Sequence, residues 1–246
     1  MPPTTVTATA VPGLPEIRAG DDLAALIAAR VTTGAEDVVV VAHKVISKAE
    51  GAVVPLAGVE PCALARTIAT RQHRDPRQVQ VILDQSSKLL RITDQVLICR
   101  THHGFVCANA GVDASNAAHE DELIVLPADP DHSARRLRMG LPGTPAVIVT
   151  DSFGRAWRNG QADVAIGVAG LRPLEDWRGL QDSAGRALNA TWIAVADQAA
   201  SAADLVRGKD SREPVVLVRG LGRHVTAADG PGVQPLLRPA ATDLFL

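Results

Sequence analysis

The chain has 246 residues, of which 46% are hydrophobic, enough for a buried core in one large domain or two closely packed ones. Its net charge of −2, the lack of a long basic run and an aromatic content of 2% argue against a nucleic-acid-binding or membrane-surface protein. No apolar segment is long enough to span a bilayer, and the three cysteines lack the spacing of a metal site, so we expect a cytoplasmic protein with reduced thiols.

Helix and strand patterns alternate along the first hundred residues. Residues 21–31 predict an amphipathic helix capped by Asp21 or Asp22, and residues 37–42 predict a central strand that is apolar on both faces. Asp75 and Pro76 predict a helix start, because proline fits the first helical position after a capping residue. The other elements predicted here are a helix over 61–73 and strands over 89–92 and 96–101.

The second half continues the alternation. Residues 129–131 predict the start of a helix. The elements predicted after it are strands over 146–150, 163–169, 192–196 and 214–219, a helix over 197–207 and an irregular Gly/Pro-rich tail from 222 onward. No linker or repeat interrupts the pattern, so we expect a single domain over residues 1–246, of α/β or α+β type with a mixed sheet.

Two small-residue loops with carboxylates, 104–116 and 150–160, suggest a metal–phosphate site. Asp151 follows a predicted buried strand directly and has the Ser152 hydroxyl beside it, a combination that suits a hard cation such as magnesium. Asp113 in the other loop is the second carboxylate. The alternative is that both aspartates cap their own loops, since Asp commonly bonds nearby backbone in turns.

The segment after the 37–42 strand is a second candidate for phosphate binding. His43, Lys44 and Lys48 emerge at the carboxyl end of that strand, where open sheets usually bind ligands. Two lysines four residues apart can neutralise separate phosphates. The alternative is a solvated basic turn in which Lys48 pairs with Glu50.

Other signatures are absent or weak. Gly208-Lys209 is followed by Asp210 and not by the hydroxyl of a P-loop, and no Gly-x-Gly-x-x-Gly or Gly-x-Ser-x-Gly pattern occurs. His102 and His103 are expected in surface or core roles, because adjacent side chains on a strand point in opposite directions. The polar side chains at 155, 158 and 159 suit either an anionic substrate or a structural loop.

Taken together and in order, several stretches carry a resemblance to a known family. They are residues 13–17, 45–51, 109–116 and 150–160, with further similarity at 194–197 and 214–220. This set resembles the coenzyme F-420:L-glutamate ligase family over nearly the whole chain. Several motifs in a fixed order are much more specific than any one of them alone.

The resemblance implies a GTP-dependent ligase that adds L-glutamate to the deazaflavin precursor F-420-0 and then adds further γ-linked glutamates. In this family the GTP γ-phosphate is transferred to the substrate carboxylate, and the glutamate amine attacks the resulting acyl phosphate. The resemblance also implies an α+β fold with mixed sheets and flanking helices, two intimate subdomains and an intertwined homodimer. Two divalent ions, Mg²⁺ or Mn²⁺, are implied as cofactors, with room for a monovalent cation such as K⁺.

Site residues follow from the resemblance position by position. The residues implied to contact the nucleotide are Leu14, Pro15, Glu16, Ile17, His43, Lys44, Lys48 and Asn116, of which Lys48 is also the catalytic candidate. Asp113 and Asp151 would ligate one divalent ion and Ser152 a second. His43 departs from the small polar or amide residue typical of the family, and Ser152 replaces the more usual Thr but keeps its hydroxyl. A metal role for Lys209 is not expected.

Two other classes of function stay open at this point. One is a non-catalytic nucleotide- or deazaflavin-binding protein that keeps the fold, and the other is a related amide ligase with a different carboxylate acceptor. The residues leave open the number of glutamates added, GTP against ATP, and whether the chain stands alone or is the ligase half of a fusion with a nitroreductase-like domain.

Overall fold

The computed structural model describes residues 5–115, 119–208 and 210–243. The strands are β1 (Thr7–Ala10), β2 (Val38–Ala42), β3 (Val53–Pro55), β4 (Ser86–Ile92), β5 (Leu97–Thr101), β6 (Val106–Ala108), β7 (Glu122–Ile124), β8 (Ala146–Arg155), β9 (Arg158–Ala169), β10 (Glu175–Asp176), β11 (Trp192–Ile193) and β12 (Val215–Arg219). The α-helices are α1 (Leu23–Ala28), α2 (His43–Ala49), α3 (Ala63–Gln72), α4 (Pro76–Asp84), α5 (Pro130–Gly140) and α6 (Val195–Asp204).

A five-stranded mixed sheet in the order β1-β12-β2-β8-β9 forms the centre of the molecule. β2 and β8 pair in parallel, and the other neighbours pair antiparallel. The four valines of β2 are buried, as expected for a strand covered on both faces. The parallel register sets Ala42 opposite Thr150, so the next residues, His43 and Asp151, lie beside each other at the end of this pairing.

Smaller layers complete the fold. β4, β5 and β6 form an antiparallel sheet, and α3 and α4 share an apolar cluster with it that includes Ile68, Ile82 and Leu97. β3 and β7 form a separate antiparallel pair. The predicted α+β class with mixed sheets and flanking helices is confirmed. The subdomain division, the single-domain boundary at 1–246 and the homodimer stay predictions.

Helix starts agree with the capping residues in the sequence. Asp22 accepts from the Ala25 amide at the start of α1, and Asp75 accepts from the Arg77 amide at 2.8 Å with Pro76 at the first helical position of α4. Asp129 accepts from the His132 amide at 2.9 Å at the start of α5. Each side chain satisfies an amide that the helix leaves without an intrahelical partner.

Several boundaries differ from the predictions. The strand expected over 192–196 ends at Ile193, because residues 195–204 form α6, whose Asp197 carboxylate accepts from the Ala165 amide. The loop expected over 150–160 is mostly an antiparallel hairpin of β8 and β9. Small and polar residues there suit a turn by composition, but pairing along both strands extends the sheet almost to Trp157.

The basic segment after β2 is also helical and not a turn. Residues 43–49 form α2, and Lys48 pairs with Glu16 and not with Glu50. Short strands at 7–10, 53–55, 106–108, 122–124 and 175–176 were not predicted. In the described ranges no helix is both long and apolar enough to cross a membrane. The cytoplasmic location stays a prediction.

Burial of β2 can be tested with a matched pair of valines. Val40 is fully buried and Val106 is 46% exposed. We expect Val40→Ala to lower the free energy of unfolding by about 2–3 kcal/mol through lost burial and a residual cavity. Val106→Ala should change it by less than about 0.5 kcal/mol. Urea unfolding of both variants measures this, and equal effects would contradict the central position of β2.

Candidate functional site

A cleft of about 640 Å³ opens where the pairing of β2 with β8 ends, beyond Ala42 and beside residues 150–152. Most of the predicted site residues line it: Leu14, Pro15, Glu16, Ile17, His43, Lys44, Lys48, Asp151 and Ser152. Stretches 207–208 and 212–214 complete its wall, together with Asp163. The structure therefore brings distant parts of the sequence to the sheet edge where open α/β sheets bind ligands.

Strand register explains why His43 and Asp151 meet. Each directly follows a residue of the last β2–β8 pair, Ala42 and Thr150, so they lie side by side where that pairing ends. His43 Nε2 lies 3.3 Å from Asp151 Oδ1. The two atoms are not aligned as a hydrogen bond, because Nε2 has no hydrogen-bond partner within the described part of the chain. Asp151 Oδ1 accepts from the Ser152 amide at 2.8 Å.

Two lysines of α2 project toward the cleft, one helical turn apart. Lys48 forms an ion pair with Glu16, whose side chain is 67% exposed. Lys44 Nζ lies 2.6 Å from Asp113 Oδ2 and donates to Ser115 Oγ at 2.6 Å. In both pairs the carboxylate is exposed to solvent. An anion with more charge, such as a phosphate group, can therefore compete for the lysine ammonium groups when it enters the cleft.

Asp113 is held by an unusual backbone. Asn109, Ala110 and Gly111 all have φ between 52° and 71°, a left-handed run that only glycine adopts easily. After this run, Asp113 bridges to Ile124 through both backbone groups. Burial alone would raise the pKa of its carboxyl, but the bonds from Lys44 and the Ser115 amide outweigh burial and lower that pKa. Asp113 is therefore ionised at neutral pH.

A buried ion pair forms the floor of the cleft. Arg207 and Asp163 are 9% and 3% exposed and bond directly to each other. Asp163 also accepts from Thr150 Oγ1 at 2.9 Å and from Ser152 Oγ at 2.6 Å. Sequence reasoning missed this pair. The signal was a carboxylate at the start of a predicted apolar strand, since a buried charge at such a position needs a partner.

The carboxylate and hydroxyl oxygens described above suit a hard divalent ion whose other ligands are phosphate and water. No three His, Cys, Asp or Glu side chains among residues 5–115, 119–208 and 210–243 are grouped to hold a metal. Mg²⁺, however, is commonly bound by one or two carboxylates together with substrate phosphates and water. Asp151 and Ser152 line the cleft, whereas Asp113 is not one of its lining residues and contacts Lys44, which is. The assignments of these three residues stay predictions.

Other predicted residues have different outcomes. Asn116 and Lys209 lie outside the described residues. His102 Nε2 contacts the Asp84 carbonyl at 2.9 Å, whereas His103 Nε2 contacts that of Pro127 at 2.9 Å, so the two rings serve separate loops. Arg155 donates to the Asn159 carbonyl across the β8–β9 turn, which is a structural role.

Comparison with known proteins identifies relatives of this chain. Residues 13–220 match the family described as F420-0:Gamma-glutamyl ligase. A protein of Methanothermobacter thermautotrophicus named coenzyme F420:L-glutamate ligase is 43% identical, and the match covers 96% of each chain. Proteins of the same name from Methanopyrus kandleri and Halorubrum lacusprofundi are 44% and 42% identical, with 94% and 93% of this chain matched and 93% and 96% of theirs.

The buried pair predicts a non-additive mutant cycle. Asp163→Asn or Arg207→Met alone should each lower the free energy of unfolding by about 3–5 kcal/mol, because each leaves one buried group without its charged partner. The double variant should recover much of that loss. Arg71→Met, which breaks the exposed pair with Asp94, is the control and should cost less than about 1 kcal/mol. Strictly additive losses would contradict the coupling.

Proposed function

The chain belongs to the F420-0:gamma-glutamyl ligase family, and on this premise we propose that it is a GTP-dependent ligase. It adds L-glutamate to F-420-0 and extends the product through γ-linked glutamates. The observation that carries the proposal is the single cleft lined by residues 14–17, His43, Lys44, Lys48 and residues 151–152. Family membership alone would not require these separate stretches to meet.

The first step is phosphoryl transfer to a carboxylate. A carboxylate oxygen of the acceptor forms a bond to the γ-phosphorus of GTP, and the bond from that phosphorus to the β–γ bridging oxygen breaks, which releases GDP. Both reactants are anionic, so the main barrier is charge repulsion and the protein must supply cations and positioning. Lys44 and Lys48 supply ammonium groups at the cleft, and Lys48 is the stronger candidate because its side chain is only 11% exposed.

The second step forms the amide. The glutamate amine attacks the acyl carbon, the bond from that carbon to the phosphate oxygen breaks, and inorganic phosphate leaves. One proton is lost from the nitrogen. A carboxylate resists such attack until one of its oxygens becomes a good leaving group, which explains why a nucleotide is consumed.

Asp113, Asp151 and Ser152 would hold the divalent ions, Mg²⁺ or Mn²⁺, that neutralise phosphate charge when bound. The oxygen donors of these side chains match the preference of such ions. Leu14, Pro15 and Ile17 would contact the nucleotide. The ion pair of Glu16 with Lys48 would break when a phosphate group enters the cleft.

Mass spectrometry tests the reaction directly. The protein is incubated with F-420-0 labelled with ¹⁸O in its carboxylate, L-glutamate, Mg²⁺ or Mn²⁺, and either GTP or ATP. We expect products heavier by glutamyl increments, matching GDP, and one ¹⁸O atom in each phosphate released by the first addition. Folded protein that gives no increment with either metal would point to another acceptor or to a binding protein, and unlabelled phosphate would contradict the acyl phosphate.

Carboxylate variants test the site. Asp151→Asn and Asp113→Asn should each lower the rate of GDP formation about a thousandfold or more, because phosphoryl transfer depends on charge neutralisation. Thermal unfolding should show that both variants remain folded. Asp94→Asn, at an exposed carboxylate on another face of the chain, is the control and should retain full activity. Full activity in both Asp151→Asn and Asp113→Asn would contradict the metal assignment.

A further inference from the structure

We propose that His43 is a nitrogen ligand of the divalent ion held by Asp151, through its Nε2 atom. This inference rests on the proposed function, because it concerns the same metal. It goes beyond the residues assigned above, in which His43 contacts only the nucleotide. It also gives this chain a feature of its own, since the family resemblance implies a small polar or amide residue at this position.

His43 is buried, and one of its ring nitrogens lacks a hydrogen-bond partner in the part of the chain that the structure describes. The residue is 2% exposed and lines the cleft, and Nε2 has no hydrogen-bond partner within the described ranges. Most buried polar atoms have a hydrogen-bond partner, so one without a partner calls for an explanation, such as a water molecule or an ion that binds there. Among the described residues, Nε2 is therefore left open to a ligand that enters the cleft.

The other ring nitrogen indicates which tautomer would be ligand-competent. Nδ1 lies 3.3 Å from Ser47 Oγ, and Ser47 is fully buried. A proton on Nδ1 can be donated to this hydroxyl, which leaves a lone pair on Nε2. Metal-bound histidines commonly use their second nitrogen in this way, because the second hydrogen bond fixes both ring orientation and tautomer.

The distance to Asp151 suits a cation shared by the two side chains. In this tautomer the Nε2 lone pair and the Asp151 carboxylate face each other at 3.3 Å, an arrangement that is repulsive unless a positive charge lies between them. If Nε2 were protonated, it would donate to Asp151, but the two groups lack that alignment. Neighbouring ligands of an octahedral ion with bonds of about 2.1 Å lie roughly 3.0 Å apart. The observed separation is slightly longer than this value, so a small movement of either side chain would bring both to the ion.

A nitrogen ligand has a chemical consequence. Imidazole suits manganese and later transition metals better than it suits magnesium, which prefers oxygen. His43 should therefore shift the preference of the site from Mg²⁺ toward Mn²⁺. Replacement by Asn keeps a polar group of the family type and removes the imidazole.

Pulsed electron paramagnetic resonance of bound Mn²⁺ tests the inference without measuring turnover. The samples are the protein with Mn²⁺ and GDP, the same protein labelled with ¹⁵N-histidine, His43→Asn, and His102→Asn as a matched control. We expect ¹⁴N modulation from an imidazole in the unlabelled protein, its replacement by a ¹⁵N signal on labelling, its loss in His43→Asn and its retention in His102→Asn. Mn²⁺ affinity should fall about tenfold in His43→Asn, whereas Mg²⁺ affinity should change much less.

The possible outcomes separate the inference from the proposed function. Mn²⁺ that shows ³¹P coupling to GDP but no histidine nitrogen would overturn the role of His43 and leave the metal-dependent ligase standing. A nitrogen signal that persists in His43→Asn would overturn it as well. If the protein binds no Mn²⁺ with GDP, both the inference and the metal assignment fail. If His43→Asn does not fold, the labelled unmutated protein still overturns the inference when it shows no histidine nitrogen, and His43→Gln, which also lacks the imidazole, replaces His43→Asn in assigning a nitrogen signal that is present.

Discussion

The parallel pairing of β2 and β8 is the constraint on which the site depends. β2 and the first half of β8 are buried, and their pairing ends at Ala42 opposite Thr150, which fixes where the next residues of the two strands lie. A register shift of one residue would turn the alternating side chains to the other face. His43 and Asp151 would then no longer meet. The apolar core thus determines the chemistry at its edge, although no core side chain takes part in the reaction.

The cleft contains two kinds of ion pair, one buried and the others partly exposed to solvent. Arg207 and Asp163 are nearly excluded from water and hold the floor in one arrangement. The lysine pairs above them include exposed carboxylates, and Glu16 is the most accessible of these. A phosphate that enters can replace a weak surface pair, whereas it cannot separate a buried one without a large desolvation cost. The same kinds of side chain therefore hold the structure in the buried pair and, under the proposed function, would bind phosphate in the exposed pairs.

Much of the fold could be predicted because its signals are local. Capping by Asp75 and Asp129 and the valine run of β2 depend only on neighbouring residues, and the structure agrees with them. The outer part of the β8–β9 hairpin, within residues 150–160, was predicted as a loop because its stability comes from cross-strand pairing, which composition does not reveal. The left-handed conformation of residues 109–111 was not predicted either. Positive φ is uncommon for Ala, and even Asn, which adopts it more often than most residues, does so only in a minority of cases. Asp163 was missed because its importance lies in a partner 44 residues away.

The central claim is that the nucleotide and its metal bind at the common edge of β2 and β8. A crystal structure of the protein with Mn²⁺ and GDP tests it most directly, because the anomalous scattering of manganese locates the ion without reference to the protein. The account predicts a manganese peak beside Asp151, with the GDP phosphates between that peak and the α2 lysines. Manganese and GDP bound away from this cleft would contradict it.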